Sequence, residues 1–300
     1  MIRLLSAELL RARSRKLVKV LLIVGVIGIA VGVTIGAVNS TKPSGAQVAQ
    51  ALEQRKVQSQ RCQRQQLDEN GAPLGAVGDC AAPLRLFLPQ NAFDVNDIAD
   101  LLRGTSVNLI VIGWLLGASL AGAEWAAGTM TTLLTWEPRR IRVLFAKLFT
   151  AIATVLVVTV VLQLVFVGLL WLLAATRGVN LPDPGLWRAI FGSMVRVSAI
   201  ASLAAVFGMA IAMYTRSVAA AMASGFVYLA VIEGLIRGYR PGLAQYLIGD
   251  NAIAWVTGRP FTTNDPTHPV TLVHAVVALS IYAVVLVAAA AASFRGRDVT

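Results

Sequence analysis

The sequence contains few charged residues. Only 14% of its 300 residues are charged, whereas 57% are hydrophobic, and the mean hydropathy is +0.71. A water-soluble domain needs a polar surface, so this composition excludes one. The motifs G-x-x-x-x-G-K-[ST], G-x-G-x-x-G, H-E-x-x-H and G-x-S-x-G are also missing from the sequence. We therefore expect no catalytic residues, no cofactor site and no metal site in this chain.

Cysteine is scarce as well. Cys62 and Cys80 are the only two cysteines, and both lie in one long stretch between apolar segments, residues 39–104, called the first loop below. If this loop is outside the cell, the two thiols can form a disulfide, which stabilises the fold by about 3 kcal/mol in the chain-entropy model. The alternative is two unrelated thiols. A metal site is not expected, because no third ligand accompanies them.

Long apolar runs dominate the sequence instead. A hydrocarbon core roughly 30 Å thick requires about 20 apolar residues in a helix, and none of the runs shows the alternation of a barrel strand. Six segments qualify, and they cover about Val20–Val38, Thr105–Ala123, Leu148–Ala175, Ile190–Tyr214, Val218–Ile236 and Val270–Ala292. The sequence therefore predicts an all-α polytopic membrane protein with six transmembrane helices in a single domain, residues 1–300.

Basic residues near the span ends predict the orientation. They are concentrated in residues 1–19, in residues 124–147 and after the last span, so both termini are expected in the cytoplasm. Residues 1–19 have one apolar side and one basic side, which predicts an amphipathic helix in the membrane interface. The net charge of +11 is then explained by orientation and by attraction to anionic lipids, and we do not expect nucleic acid as a partner.

Residues 124–147, called the hinge below, form a charged insert between the second and third spans. Pro138 is expected to end a short helix there. Arg139, Arg140 and Arg142 offer donors for acidic groups of a partner, although basic residues on the inner side also follow from orientation alone. Orientation does not require the acidic residues Glu124 and Glu137. Both interpretations of the arginines stay open at this point.

Two charges lie within the predicted spans. Arg196 is in the fourth span and Glu233 in the fifth, both near the outer ends, which predicts an ion pair because an unpaired charge is costly there. Alternatively, Arg196 reaches the headgroups and Glu233 faces water near an outer gate. Residues 237–269, called the distal segment below, contain too few apolar residues for a span.

Small residues recur every four positions in two spans. Such faces let helices approach closely, either within one bundle or between two copies of the chain. The sequence does not separate these interpretations. The residues are Gly28, Gly32 and Gly36 in the first span and Gly113 and Gly117 in the second.

The hinge resembles that of the membrane subunits of type-2 ATP-binding-cassette (ABC) transporters. The resemblance rests on the order of eight residues, Glu124, Gly128, Thr129, Leu133, Leu134, Pro138, Arg140 and Lys147. Family members often have serine before the arginine that follows the proline, where this chain has Arg139. The resemblance implies that the hinge contains a coupling helix for a separate ATPase, and that the distal segment is a re-entrant segment on the outer side. The implied coupling residues are Glu124, Gly128, Thr129, Glu137, Pro138, Arg139, Arg140, Arg142 and Lys147.

The resemblance also implies a function. The chain would be the permease subunit of an ABC exporter in a bacterial plasma membrane, working as a dimer with a second permease copy or a related subunit. ATP and magnesium would bind to the partner ATPase, and the cargo would be hydrophobic or amphipathic, such as a lipid, drug or peptide. An alternative is a membrane sensor whose first loop binds a ligand. An ion-coupled transporter is a weaker alternative, because the spans have no carboxylate near the bilayer midplane.

Overall fold

The computed structural model describes residues 2–66, 80, 82–262 and 269–296. Regular structure in these residues is helical, apart from isolated bridges between Asp94 and Val179 and between Phe261 and Val270. Within the same residues, six helical stretches are long and apolar enough to cross a membrane, namely Lys16–Asn39, Val95–Ala126, Arg140–Arg177, Leu186–Thr215, Val218–Tyr239 and Leu272–Gly296. The protein is therefore an all-α polytopic membrane protein, which confirms the predicted fold class.

The helices are numbered in chain order. In the described part of the chain they are α1 Ile2–Ser14, α2 Lys16–Asn39, α3 Gly45–Gln65, α4 Ile98–Gly104, α5 Ser106–Ala126, α6 Thr129–Trp136, α7 Arg140–Arg177, α8 Leu186–Thr215, α9 Val218–Phe226, α10 Glu233–Tyr239, α11 Ile248–Thr257 and α12 Leu272–Gly296. A π-helix, Val227–Ile232, joins α9 to α10, and a 3-10 helix, Pro241–Tyr246, precedes α11. The third span thus begins at Arg140, eight residues before the predicted start, so the second half of the hinge is helical.

Parts of two predicted segments lie outside the described residues. These are residues 67–79 and 81 of the first loop and residues 263–268 of the distal segment. The described part of the distal segment contains two short helices, the 3-10 helix and α11. With 10 residues, α11 is about 15 Å long and too short to cross a bilayer.

Contacts along the chain divide it into two compact units. The first contains Met1–Gly25, Leu102–Gln163 and Phe191–Thr300, and the second contains Val26–Leu101 and Leu164–Ile190. The hinge and the distal segment both belong to the first unit, whereas most of the first loop belongs to the second.

Helices α5 and α8 pack closely in the first unit through small residues. A Cβ atom added at Gly113 would overlap the carbonyl oxygen of Ala201, and one added at Gly117 would overlap that of Ala205. Small residues spaced four apart therefore face each other on both helices and let the two backbones touch. Packing within the bundle is the correct interpretation for this pair of glycines.

The glycines of α2 are in a different environment. A Cβ atom added at Gly28, Gly32 or Gly36 would meet no atom within 4 Å, and no residue of α2 is buried. This glycine face has no partner among the described residues of the chain. A contact with a second copy stays a prediction for α2.

The second unit contains a small core of its own. The side chain of Ser44 and that of Gln47 exchange hydrogen bonds with each other's backbone N–H groups and so cap α3. Arg55 of α3 donates to the carboxylate of Asp183 and to the carbonyl oxygen of Ala82. The buried apolar residues of this core are Ala51, Leu84, Leu88 and Val179. The described part of the first loop thus includes an ordered helical module.

Cys62 and Cys80 are joined in the predicted disulfide. Their Cα atoms are 5.6 Å apart, and the residues are separated by 18 positions in the sequence. The bond links the end of α3 to the residues that lead into the small core.

Asp94 is a buried carboxyl group of the second unit that lies outside the spans. Burial raises its pKa above the ordinary value, although the backbone and side-chain N–H groups of Asn96 oppose the shift. The folded protein therefore holds this proton more tightly than the unfolded chain. The resulting contribution to stability is present at low pH and is lost as the pH rises through the raised pKa.

Candidate functional site

Four charged side chains of the first unit meet beside the hinge, and we call them the charge cluster. They are Glu8 of α1, Arg15 between α1 and α2, Glu124 of α5 and Lys147 of α7. Lys147 donates from Nζ to Glu8 Oε2 at 3.1 Å and also to Glu124 Oε2. Arg15 donates to Glu124 Oε1 at 2.8 Å and to two backbone carbonyl oxygens of α5. Two acids and two bases therefore balance each other.

The charge cluster is buried. Only 1% of Lys147, 5% of Glu8 and 7% of Glu124 is exposed. A buried charge is tolerated only when it is paired and hydrogen-bonded, which explains why Lys147 needs carboxylates from two different helices. The sequence predicts Glu124 and Lys147 as contacts for a partner protein, but the structure places both side chains inside the fold. Their role is to hold α1, α5 and α7 together at the hinge.

The hinge changes direction at Gly128. This residue has a φ of 67°, in the left-handed region that favours glycine, and it separates α5 from the eight-residue helix α6. Thr129 begins α6, and its hydroxyl donates to the backbone carbonyl of Glu124 at 3.4 Å. Met130 is fully buried in the core of the first unit, whereas Trp136 at the end of α6 is 85% exposed. Helix α6 is thus anchored at its start and exposed at its end.

Pro138 separates α6 from α7, and the surrounding charges differ in their environment. Glu137 pairs with Arg142 at 3.5 Å, and Arg139 is exposed. Arg140 donates from Nη1 to the carbonyl oxygens of Phe294 at 3.1 Å and Arg295 at 3.3 Å, which are at the end of α12. The guanidinium of Arg140 thus satisfies carbonyl groups that the helix end leaves unpaired, and its contact with a partner protein stays a prediction.

Trp125, at the start of the hinge, was not predicted as a site residue. The guanidinium of Arg216 lies over its ring at 4.6 Å from the centroid, and the ring of Phe294 meets it edge-on at 6.1 Å. Arg216 belongs to the turn between α8 and α9. The hinge therefore contacts the ends of three other spans, a juxtaposition that no local sequence pattern reveals.

The distal segment contains the second group of buried charges. Gly249, near the start of α11, donates its N–H to Glu233 Oε1 at 2.8 Å. Arg237 donates to Glu233 Oε2 at 2.8 Å and to Asp250 Oδ1 at 2.7 Å. Glu233 and Asp250 are both buried. The carboxylate of Glu233 thus lies at the N-terminus of α11, where the helix dipole stabilises negative charge.

Arg196 lies at the other end of α11. A Cβ atom added at Gly258, the residue that follows α11, would overlap the guanidinium of Arg196, and Trp255 donates from Nε1 to the backbone carbonyl of Arg196 at 2.9 Å. A positive charge is favourable at a helix C-terminus. The predicted ion pair between Arg196 and Glu233 is therefore wrong, since the two charges flank one helix that separates them by about 15 Å.

Charge reversal distinguishes an ion pair between Arg196 and Glu233 from two separate charges at opposite ends of α11. We expect Arg196→Glu and Glu233→Lys each to lower the thermal unfolding midpoint in detergent, because each places the wrong charge at an end of α11. The double variant should lose the sum of the two effects, as independent sites do. Arg188→Glu, at an exposed arginine, is the control and should change the midpoint little. Recovery of the midpoint in the double variant would contradict the arrangement around α11.

Comparisons with known proteins identify a family for this chain but no named relative. No curated protein and no solved structure matches the chain. A family model with the description "Protein of unknown function (DUF2705)" matches residues 88–300, which include the whole hinge and the whole distal segment. Because this match covers well over half of the chain, the protein belongs to the DUF2705 family.

Proposed function

We propose that this protein is the membrane subunit of an ABC exporter that works with a separate ATPase and with a second copy of itself or a related subunit. The observation that carries the proposal is helix α6, whose end is exposed while the helices on either side of it, α5 and α7, are joined by the buried ion pair of Glu124 and Lys147. A short helix that is fixed at its base can pass a displacement from a partner to the spans. ATP and magnesium bind to the ATPase in this proposal.

The exposed part of the hinge supplies the surface for the ATPase. Trp136 and Arg139 are exposed there, and tryptophan and arginine are the residue types most enriched among energetically important interface residues. Glu124, Arg140 and Lys147 act from within the fold by holding this surface in place. Thus the predicted coupling residues divide into surface residues and supporting residues.

The remaining parts of the proposal rest on the sequence and on the resemblance to ABC exporters. The basic residues favour a hinge and termini in the cytoplasm, and the resemblance suggests a bacterial plasma membrane and a hydrophobic or amphipathic cargo. A sensor function is the alternative, and the separate core of the second unit favours it, because an ordered loop module can bind a ligand. The two functions differ in whether an ATPase accompanies the chain.

Purification of the full-length protein tests the proposal. We expect a protein with nucleotide-binding motifs to co-purify in stoichiometric amount after solubilisation of native membranes in a mild detergent, as identified by mass spectrometry. The variant Trp136→Ala should reduce its recovery about tenfold or more, as expected for an interface hot spot. The matched control is Trp187→Ala, at an exposed tryptophan of the second unit, which should leave recovery unchanged.

Two outcomes would contradict the proposal. Recovery of the chain without any nucleotide-binding protein would favour the sensor function. An equal loss of the ATPase in the Trp136→Ala and Trp187→Ala variants would show that the hinge is not its docking surface.

A further inference from the structure

The last helix, α12, is attached to the hinge at its C-terminal end. Arg140 donates to the carbonyl oxygens of Phe294 and Arg295, and the ring of Phe294 packs edge-on against Trp125. Phe294 is also buried in the core of the first unit together with Leu144 and Leu148 of α7. The end of α12 is therefore fixed to the hinge by polar and apolar contacts.

The other half of α12 is attached to the distal segment. The hydroxyl of Tyr282 donates to the carbonyl oxygen of Tyr246 at 2.6 Å, and the ring of His274 meets that of Tyr246 edge-on at 5.7 Å. Ala275 of α12 and Ala254 of α11 are fully buried in one apolar cluster. Helix α12 thus contacts both short helices of the distal segment.

Three routes connect the hinge with the distal segment. Helix α8 is α-helical over its 30 residues and contacts α11 through Arg196 and the hinge through the turn of Arg216. The span α9–α10 leads directly into the distal segment, but the π-helix Val227–Ile232 interrupts it, and such interruptions are sites where helices bend. Helix α12 is α-helical over all of its 25 residues. From His274 to Phe294 it covers 20 residues, or about 30 Å.

We propose that α12 is a strut that transmits displacement of the hinge to the distal segment, and that Arg140 is the positioning residue that fixes the strut to the hinge. This inference deepens the proposed function, because it names the route from the ATPase side to the opposite end of the spans. The proposal rests only on contacts within this chain. The test below therefore requires neither ATP nor a partner protein.

A single reporter thiol measures the effect. Cys62 and Cys80 are joined in a disulfide, so the variant Leu243→Cys places the only free thiol of the chain in the 3-10 helix of the distal segment, where Leu243 is half-exposed. The rate of maleimide labelling of the full-length protein in nanodiscs is measured with and without Arg140→Gln. We expect the rate to change by about threefold or more, in the range of coupling known between distant sites.

Three further variants complete the experiment. Arg13→Gln, at an exposed arginine of α1, should leave the labelling rate unchanged. Arg140→Lys keeps the positive charge at the end of α12 but not the guanidinium. Its labelling rate should lie between the rate of the protein with Arg140 and the rate of Arg140→Gln. In a Tyr282→Phe background, which removes the hydrogen bond between α12 and Tyr246, Arg140→Gln should have a smaller effect.

Two results would overturn the proposal that α12 is a strut. One is an unchanged labelling rate in Arg140→Gln, and the other is an equal effect of Arg140→Gln with and without Tyr282→Phe. Neither result affects the proposed ATPase partner, which is tested by co-purification. Conversely, a chain without an ATPase could still show the expected coupling, so the two proposals fail independently.

Discussion

Replacing Lys147 with methionine is expected to reduce the free energy of unfolding by about 3 kcal/mol or more, a typical cost of breaking a buried ion pair. The substitution keeps a long side chain but removes the one cation that bonds both Glu8 and Glu124. Glu124 would retain Arg15, and Glu8 would retain the more exposed Arg11. Glu8 would therefore lose its only buried partner among the described residues.

Denaturant titration of the purified protein in detergent measures this change in the free energy of unfolding. Lys19→Met makes the same substitution at an exposed lysine of α2 and should change stability little. Adding Glu8→Gln to Lys147→Met restores the balance between Arg15 and Glu124, so this double variant should be more stable than Lys147→Met alone. If Lys147→Met and Lys19→Met behave alike, the charge cluster does not hold the hinge.

Replacing Gly117 with leucine is expected to prevent α5 from packing on α8. Even a Cβ atom at this position would overlap the backbone of Ala205, and neither backbone can move without separating the two helices. Gly117→Ala should cost about 1–3 kcal/mol, the usual range for overpacking. The larger leucine should leave little protein that elutes as a single species in size-exclusion chromatography.

The first span offers a matched comparison. Gly32→Ala and Gly32→Leu introduce the same side chains where an added Cβ atom meets nothing within 4 Å. Both variants should remain folded and elute as a single species. A loss of folded protein for Gly32→Leu equal to that for Gly117→Leu would mean that glycine itself, rather than the contact between α5 and α8, is what each span requires.

The spans could be predicted from sequence because one physical quantity determines them. Hydrocarbon thickness sets the length of an apolar run, and no alternative fold satisfies the backbone in lipid. The break at Pro138 could be predicted for a similarly local reason, since proline restricts the backbone conformation of its own residue. The disulfide followed from the presence of only two cysteines in one loop.

The partners of the buried charges could not be predicted in this way. Hydropathy indicates the depth of a residue in the membrane but not the direction in which its side chain points. Arg196 and Glu233 have similar predicted depths, yet α11 lies between them. Lys147 bonds Glu8, which is 139 positions away in the sequence. Only the packing of α1 against α5 and α7 brings those two charges together.

The distance in sequence between Glu8 and Lys147 has a consequence for biosynthesis. Translation proceeds at about 5–20 residues per second, so the ribosome reaches Lys147 on the order of ten seconds after Glu8. During that interval the acidic group of α1 lacks its buried cation, and α1 cannot yet adopt its final position against α7. Docking of α1 against α7 can therefore be completed only after Lys147, near the start of the third span, has been synthesised.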